Sequence, residues 1–113
     1  MKYATVRKFA SSLPEVTEEP HHHFGSFRVR GKIFVTVPPE QKHIHVFVTE
    51  QEREQALAIF PDFTEKLMWG GKVVGVRVAL DSANAAYVKQ LIRRAWANKA
   101  PKALSAAAGT VPE

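Results

Sequence analysis

Short segments in which apolar and polar residues alternate with a period of two dominate the middle of the chain. Phe27 to Val29, Ile33 to Val37 and Ile44 to Val48 follow this pattern, and β-branched and aromatic residues are enriched in them. Alternation of this kind is typical of a strand with one buried face. Phe63 to Met68 and Val73 to Leu80 fit a further hairpin, joined by a turn that contains two glycines. The sequence therefore predicts five strands, and their single apolar faces favour an antiparallel sheet.

Three other segments carry apolar residues at helical spacing. The first is Tyr3 to Leu13, which ends before a proline. Thr49 and Glu52 fit a capping box, which predicts a helix that begins there and runs to about Phe60. The third helix is expected over Asn84 to Asn98. Helices and strands together predict an α+β fold, a five-stranded antiparallel sheet with helices packed on one face and the other face exposed to solvent.

The length of the chain, 113 residues and 12.6 kDa, is enough for one modest core, and we expect a single domain over residues 1–104. Residues 105–113 are small and weakly apolar and are predicted to form a flexible C-terminal tail. The absence of cysteine excludes disulfides, thiol nucleophiles and zinc ribbons. No apolar run is long enough to span a bilayer and no signal peptide is evident, so we expect a cytoplasmic protein without a membrane partner.

The first predicted hairpin is expected to turn through a three-residue loop, Arg30–Gly31–Lys32. This register places Phe27 opposite Val35 on the apolar side of the sheet. A two-residue loop would put the charged Arg28 on that side next to Ile33, and burying an unpaired charge disfavours it.

The same register gives the exposed face of the predicted sheet a basic and aromatic row. Arg28 is expected opposite Phe34, and Phe34 opposite Phe47. Aromatic and cationic side chains in such a row hold single-stranded nucleic acid by stacking and by phosphate contacts. Two exposed phenylalanines are equally consistent with a second small apolar cluster or with a dimer interface.

Charge is unevenly distributed along the chain, whose net charge is +5 and whose pI is about 9.8. Residues 66–102 contain eight basic side chains and one acidic side chain, Asp81, whereas residues 50–65 contain five acidic side chains and one basic side chain, Arg53. Such asymmetry favours a polyanionic partner, because neutralising phosphates releases counterions.

Histidines are the candidate metal ligands. His21, His22 and His23 follow two glutamates, and His43 and His45 share one face of a predicted strand. Two imidazoles on one face can bind a metal ion, but no third ligand accompanies them in the sequence. We therefore expect solvent-exposed histidines and no metal or cofactor. No catalytic constellation is evident, so we expect no enzyme activity.

Three stretches carry a resemblance to a known family: SLPEVTEE at residues 12–19, SFRVRGKIF at 26–34 and AWANKAPKAL at 95–104. Together they resemble the MmcQ/YjbR family, over about residues 3–104. The resemblance implies a fold of the CyaY (bacterial frataxin) type. It also implies a DNA-binding protein in which two β-hairpins act as wings, with no established catalytic residues. These implications are analogies at the level of the fold.

We therefore predict a non-enzymatic domain, a monomer, that binds DNA weakly and largely without sequence preference. The candidate contacts lie at the two glycine-containing hairpin tips and their strands and on the last helix. They are Arg28, Arg30, Lys32, Trp69, Lys72, Arg77, Lys89, Arg93 and Arg94. The alternative is a small-ligand or protein-interaction module that uses the exposed face of the sheet.

Overall fold

A computed structural model describes residues 1–107, which form four α-helices and six strands. In chain order they are α1 (Tyr3–Ser12), β1 (Val16–His21), β2 (Phe24–Val29), β3 (Lys32–Val37), β4 (His43–Val46), α2 (Glu50–Ile59), β5 (Thr64–Trp69), β6 (Lys72–Ala79), α3 (Ala85–Lys99) and α4 (Lys102–Ala107). A short 3₁₀ turn, Leu80–Ser82, connects β6 to α3.

The six strands form one antiparallel sheet in the spatial order β1–β2–β3–β4–β6–β5. The α+β class, the antiparallel sheet and the helices predicted from the sequence are confirmed. The prediction of five strands is wrong, because the polar segment before Gly25 contains a sixth.

The missed strand, β1, lies at one edge of the sheet and pairs with β2. Its sequence, VTEEPH, does not alternate, and its four central residues are exposed. An edge strand needs no apolar face, and Pro20 is tolerated there because its missing N–H can fall on the unpaired side. Hydrogen bonding to β2, with Val16 packed against the core at one end, therefore holds this strand, and apolar periodicity cannot detect it.

The hydrophobic core lies between the helices and one face of the sheet. Val6 of α1, Ala56 of α2 and Val88 of α3 join one buried cluster with strand residues such as Val46 and Val76. We call the opposite side of the sheet the outer face. The helical layer thus covers one face of the sheet, as the apolar periodicity predicts.

Local signals place the ends of the helices. The Thr49 hydroxyl accepts a hydrogen bond from the backbone N–H of Glu52 (3.2 Å), and the Glu52 carboxylate accepts one from the N–H of Thr49 (3.0 Å). The predicted capping box is confirmed. The side chain of Asn84 caps α3 by accepting a hydrogen bond from the N–H of Tyr87 at 3.0 Å, without a reciprocal bond.

The first hairpin differs from its predicted register. Arg30 (φ 49°) and Gly31 (φ 81°) form a two-residue turn with positive φ at both positions, the geometry of a type I′ hairpin. Arg28 pairs with Ile33, but a bulge then inserts Phe34 and restores the expected pairing of Phe27 with Val35. The three-residue loop is therefore wrong, because the bulge corrects the register without turning Arg28 into the core.

Because of this bulge, Phe34 lies on the core side of the sheet and not on the exposed side, where the predicted register placed it. It is fully buried and belongs to the core cluster, so the expectation that it is exposed opposite Phe47 is wrong. The backbone still joins the two residues, because the N–H of Phe47 donates to the carbonyl oxygen of Phe34 over 3.1 Å.

The end of the described chain is helical. Ser105, Ala106 and Ala107, where the predicted tail begins, lie in α4, and the rest of that tail, residues 108–113, lies outside the described residues. None of the helices in residues 1–107 is long and apolar enough to cross a membrane.

Candidate nucleic-acid interface

A row of polar side chains crosses the outer face of the sheet. Pairing across all six strands aligns one residue from each at the same level. In spatial order they are Glu19, Ser26, Thr36, His45, Arg77 and Glu65. We call these six residues the polar row. Alternation along each strand puts them opposite the core.

His45 lies at the centre of the polar row and is only 3% exposed. Its Nε2 lies 3.0 Å from Nη1 of Arg77, and its Nδ1 lies 3.3 Å from Oγ1 of Thr36. A guanidinium can only donate, so Nε2 accepts and the proton of the neutral ring is on Nδ1, which donates to Thr36. Burial, with the nearby charges of Arg77 and His43, lowers the pKa of His45 to about 4.

Aromatic side chains flank His45. The ring centroid of Phe24 lies 5.8 Å from that of His45, and the centroid of Trp69 lies 6.3 Å away. Phe47 lies 5.2 Å from Trp69. The expectation that this face and its histidines are uniformly exposed is therefore wrong at the centre, where Thr36 is also buried. Neighbouring side chains on a twisted sheet can cover each other without a second layer.

The two arginines of the outer face are already engaged within the protein. Nε of Arg28 donates to the hydroxyl of Ser26 at 3.1 Å, and its Nη2 donates to the carbonyl oxygen of Pro20 at 3.3 Å. Arg77 also forms an ion pair with Glu65, with Nε 3.2 Å from Oε1. Both arginines therefore order the face in addition to carrying charge.

The two predicted hairpin tips lie at the same end of the sheet, where its strands terminate. Arg30–Gly31 and Gly70–Gly71 both extend beyond Val46, where β4 ends between the two hairpins. Gly70 and Gly71 have φ of 56° and 80°, so the second turn matches the first. Three strand spacings separate the tips, which is about 14 Å.

The tip arginine is already paired with a carboxylate of the protein. Nε and Nη2 of Arg30 donate to the two carboxylate oxygens of Glu15 at 2.8 and 3.1 Å. This hydrogen bonding also holds the pKa of Glu15 below its usual value.

The two tip lysines leave the sheet on opposite sides. Lys32 pairs with Val29, which is buried in the core, and therefore projects from the helical side. Lys72 pairs with Trp69 and projects from the outer face. The structure thus brings Trp69 and Lys72 together and separates them from Lys32.

Apart from the hairpin tips, a basic surface lies where α1 packs beside α3. Nζ of Lys89 and Cζ of Arg93 each lie 5.9 Å from the ring centroid of Phe9. A cleft of about 520 Å³ beside Phe9 is also lined by Lys8, Lys89 and Ser12. We call the surface formed by Lys8, Phe9, Lys89 and Arg93 the α1–α3 surface. Neither helix contains an acidic residue.

The sequence prediction named only part of this surface. Lys89 and Arg93 lie together, but Arg94 lies apart from them, near Tyr87. Burial raises the pKa of Tyr87, and the charge of Arg94 partly opposes this increase. Lys8 and Phe9 were not predicted as contacts. The absence of acidic residues from both helices could have indicated a basic surface in the sequence. Only the packing of α1 against α3 brings the basic side chains of the two helices together.

His21 ends β1 and pairs with Phe24 of β2, so His22 and His23 form the turn between these two strands. Among residues 1–107, no three His, Asp or Glu side chains are placed so that they could hold one metal ion.

Comparisons with known proteins place the chain in a family. The YjbR family model matches residues 11–98. The protein is similar to Deinococcus radiodurans protein DR2400, a DUF419 domain, with a TM-score of 0.76 and 19% identity over 97% of this chain and 89% of that one. At that identity the similarity concerns the fold. No curated protein matches significantly. The match to the family model covers most of the chain, and it confirms the resemblance found in the sequence: the protein belongs to the YjbR family.

Proposed function

We propose that this protein is a non-enzymatic, cytoplasmic, nucleic-acid-binding domain that holds phosphates on the α1–α3 surface, weakly and without strong sequence preference. The observation that carries the proposal is the placement of Lys8, Lys89 and Arg93 around Phe9, on two helices without acidic residues. Cations collected on one surface bind phosphates through counterion release, which requires no base contact. The expected CyaY-type fold remains part of this proposal.

The hairpin tips are secondary contacts in this proposal. Their separation of about 14 Å, as three strand spacings give it, is close to the width of the major groove, about 12 Å, and so suits phosphates on both sides of it. Arg30 is however paired with Glu15. Helix α2 begins at the same end of the sheet, with Glu50 and Glu52 in its first turn. Acidic side chains beside the tips weaken their attraction for a polyanion.

The test is fluorescence anisotropy with a labelled DNA duplex over a series of salt concentrations. Lys8→Glu/Lys89→Glu/Arg93→Glu reverses three cations on the α1–α3 surface, and Arg30→Glu/Lys32→Glu/Lys72→Glu reverses three at the tips. Bulk electrostatics alone predicts equal losses. We expect the first variant to bind much more weakly and its salt slope to fall by about 3, since each lost phosphate contact removes about one unit.

Circular dichroism and the melting temperature of each triple variant control for folding. A salt-independent affinity of the unmodified protein, or no binding at low salt, overturns the proposed function. A greater loss in the tip variant moves the site to the hairpins.

The outer face favours an alternative, a small-ligand or protein-interaction module. Trp69 is 43% exposed there, beside Phe47. Apolar surface of this kind is a common feature of interaction sites. Sedimentation of the protein over a range of concentrations tests the simplest form, self-association through this face, against the monomer that we propose.

A further inference from the structure

Trp69 stands on the outer face near the tip of the β5–β6 hairpin. Its neighbours contact it at an angle, because the planes of Phe47 and His45 are inclined to the indole by 61° and 74°. Neither ring therefore lies flat against Trp69. These contacts restrict the indole while 43% of the residue stays accessible to solvent.

Charge accompanies the indole on the same face. Lys72 is the direct cross-strand partner of Trp69. Arg77 lies further along β6, fixed by Glu65 and by His45. A flat ring next to a cation is the combination that binds a base together with its phosphate.

His45, one of the two rings beside Trp69, is itself held in place. His45 is hydrogen-bonded through both ring nitrogens, to Arg77 and to Thr36. It therefore cannot rotate away from Trp69 without breaking one of these bonds. A side chain that is held in place before binding loses less conformational entropy when a ligand arrives.

We infer that the outer face is a second nucleic-acid site, at which Trp69 stacks on an unpaired base of a single strand and Lys72 contacts the adjacent phosphate. Single-stranded nucleic acid is the ligand that fits, because the bases of a duplex are already stacked on each other and only an unpaired base offers its face to a side chain. The inference rests on the proposed function for the class of ligand, but it uses the opposite side of the sheet.

Tryptophan fluorescence can test this site selectively. The chain contains two tryptophans. Trp96 is buried, and its Nε1 donates to the carbonyl oxygen of Pro14 at 3.0 Å. A ligand that stacks on an exposed indole therefore quenches Trp69 and leaves Trp96 unchanged.

The probe is an oligothymidylate of about 12 nucleotides, within the range of single-domain site sizes. The matched ligand control is an abasic oligomer of the same length, which carries the same phosphates and no base. We expect quenching by the oligothymidylate and little by the abasic oligomer. Equal quenching by both ligands, or by neither, overturns the inference.

Variants then locate the effect. Trp69→Ala is expected to weaken oligothymidylate binding in an anisotropy assay about 5- to 100-fold, whereas Trp69→Phe retains a ring and most of the affinity. Met68→Ala is the matched control. Met68 is 51% exposed on the same hairpin but projects from the other side of β5, so its removal is expected to have no effect.

These results separate the inference from the proposed function. If the α1–α3 variant loses duplex binding while quenching by oligothymidylate persists, both sites stand. If the unmodified protein binds the duplex as proposed, but Trp69→Ala binds oligothymidylate as well as the unmodified protein does, only the stacking site is wrong. Trp69 emission that changes with protein concentration and not with oligonucleotide assigns the face to self-association and also overturns the inference.

Discussion

Arg77 donates a hydrogen bond to Nε2 of His45 over 3.0 Å, and this contact favours the neutral form of the imidazole. A protonated ring would present an N–H to a guanidinium, which has no acceptor, and would place two positive charges side by side. The centre of the outer face is therefore sensitive to acid, although the hydrogen bonds of the ring within residues 1–107 go to Arg77 and Thr36 and not to a carboxylate.

The stability of the fold is expected to decrease with acid between pH 6.5 and pH 4. The pKa of His45 is lowered from 6.5 to about 4, so in this range the unfolded chain binds a proton that the folded protein excludes. The stabilisation is complete above pH 6.5 and is lost as the pH falls towards 4. We expect a loss of about 2 kcal/mol in the free energy of unfolding, after allowance for solvent screening at the partly exposed Arg77.

Urea unfolding at several pH values between 7.5 and 4.5 measures this loss. His45→Asn lowers stability at every pH but is expected to flatten the pH dependence. His43→Gln removes only the smallest of the three causes of the lowered pKa of His45 and is expected to leave most of the dependence in place. A pH profile that is the same in His45→Asn and in the unmodified protein would contradict the assignment to His45.

The hydroxyl of Thr36 is expected to stabilise the neutral ring. Thr36→Val has nearly the same shape but leaves the Nδ1–H of His45 without its acceptor in a buried site. An unsatisfied buried donor costs about 1–3 kcal/mol. Chemical denaturation should therefore show a loss of this size, and Thr36→Ser should recover part of it. Equal stability of the valine variant and the unmodified protein would mean that the 3.3 Å contact contributes nothing.

The glycine at position 75 is required by the close approach of β6 to β4. A Cβ on Gly75 would lie 2.5 Å from the carbonyl oxygen of Val46, a backbone atom in the paired sheet. Gly75→Ala is therefore expected to destabilise the protein by about 1–3 kcal/mol. Gly25→Ala is the control, because its Cβ would meet only Cβ of Val37 at 3.8 Å, an ordinary contact. Similar melting temperatures for the two variants would refute this explanation.

The capping box of α2 is expected to contribute measurably to stability. Thr49→Ala removes the oxygen that accepts from the N–H of Glu52. Loss of such a cap costs about 1 kcal/mol. The matched change Thr5→Ala, at an exposed position in the first turn of α1, should be neutral or slightly stabilising. The difference between the two midpoints of urea unfolding measures the cap, and no difference would mean that α2 does not depend on it.

Local chemistry determined the first three helices and five of the six strands among residues 1–107. The Thr49–Glu52 pair and the alternation around Val35 and Val46 each act over a few residues, so they can be recognised in the sequence. The family resemblance, carried by three separate stretches, is also a property of the sequence alone. These features predicted the α+β class, the antiparallel sheet and the family.

Only the tertiary structure decided how the candidate site is assembled. β1 is held by pairing at an edge, and the bulge at Phe34 corrects a register that local rules could not resolve. Lys8 joins Lys89 because α1 packs on α3, and His45 is buried because strands distant in sequence bring Arg77 and Trp69 beside it. Contacts of this kind depend on the relative placement of complete elements. The charge and polarity of each residue can be read from the sequence, but which residues act together depends on packing.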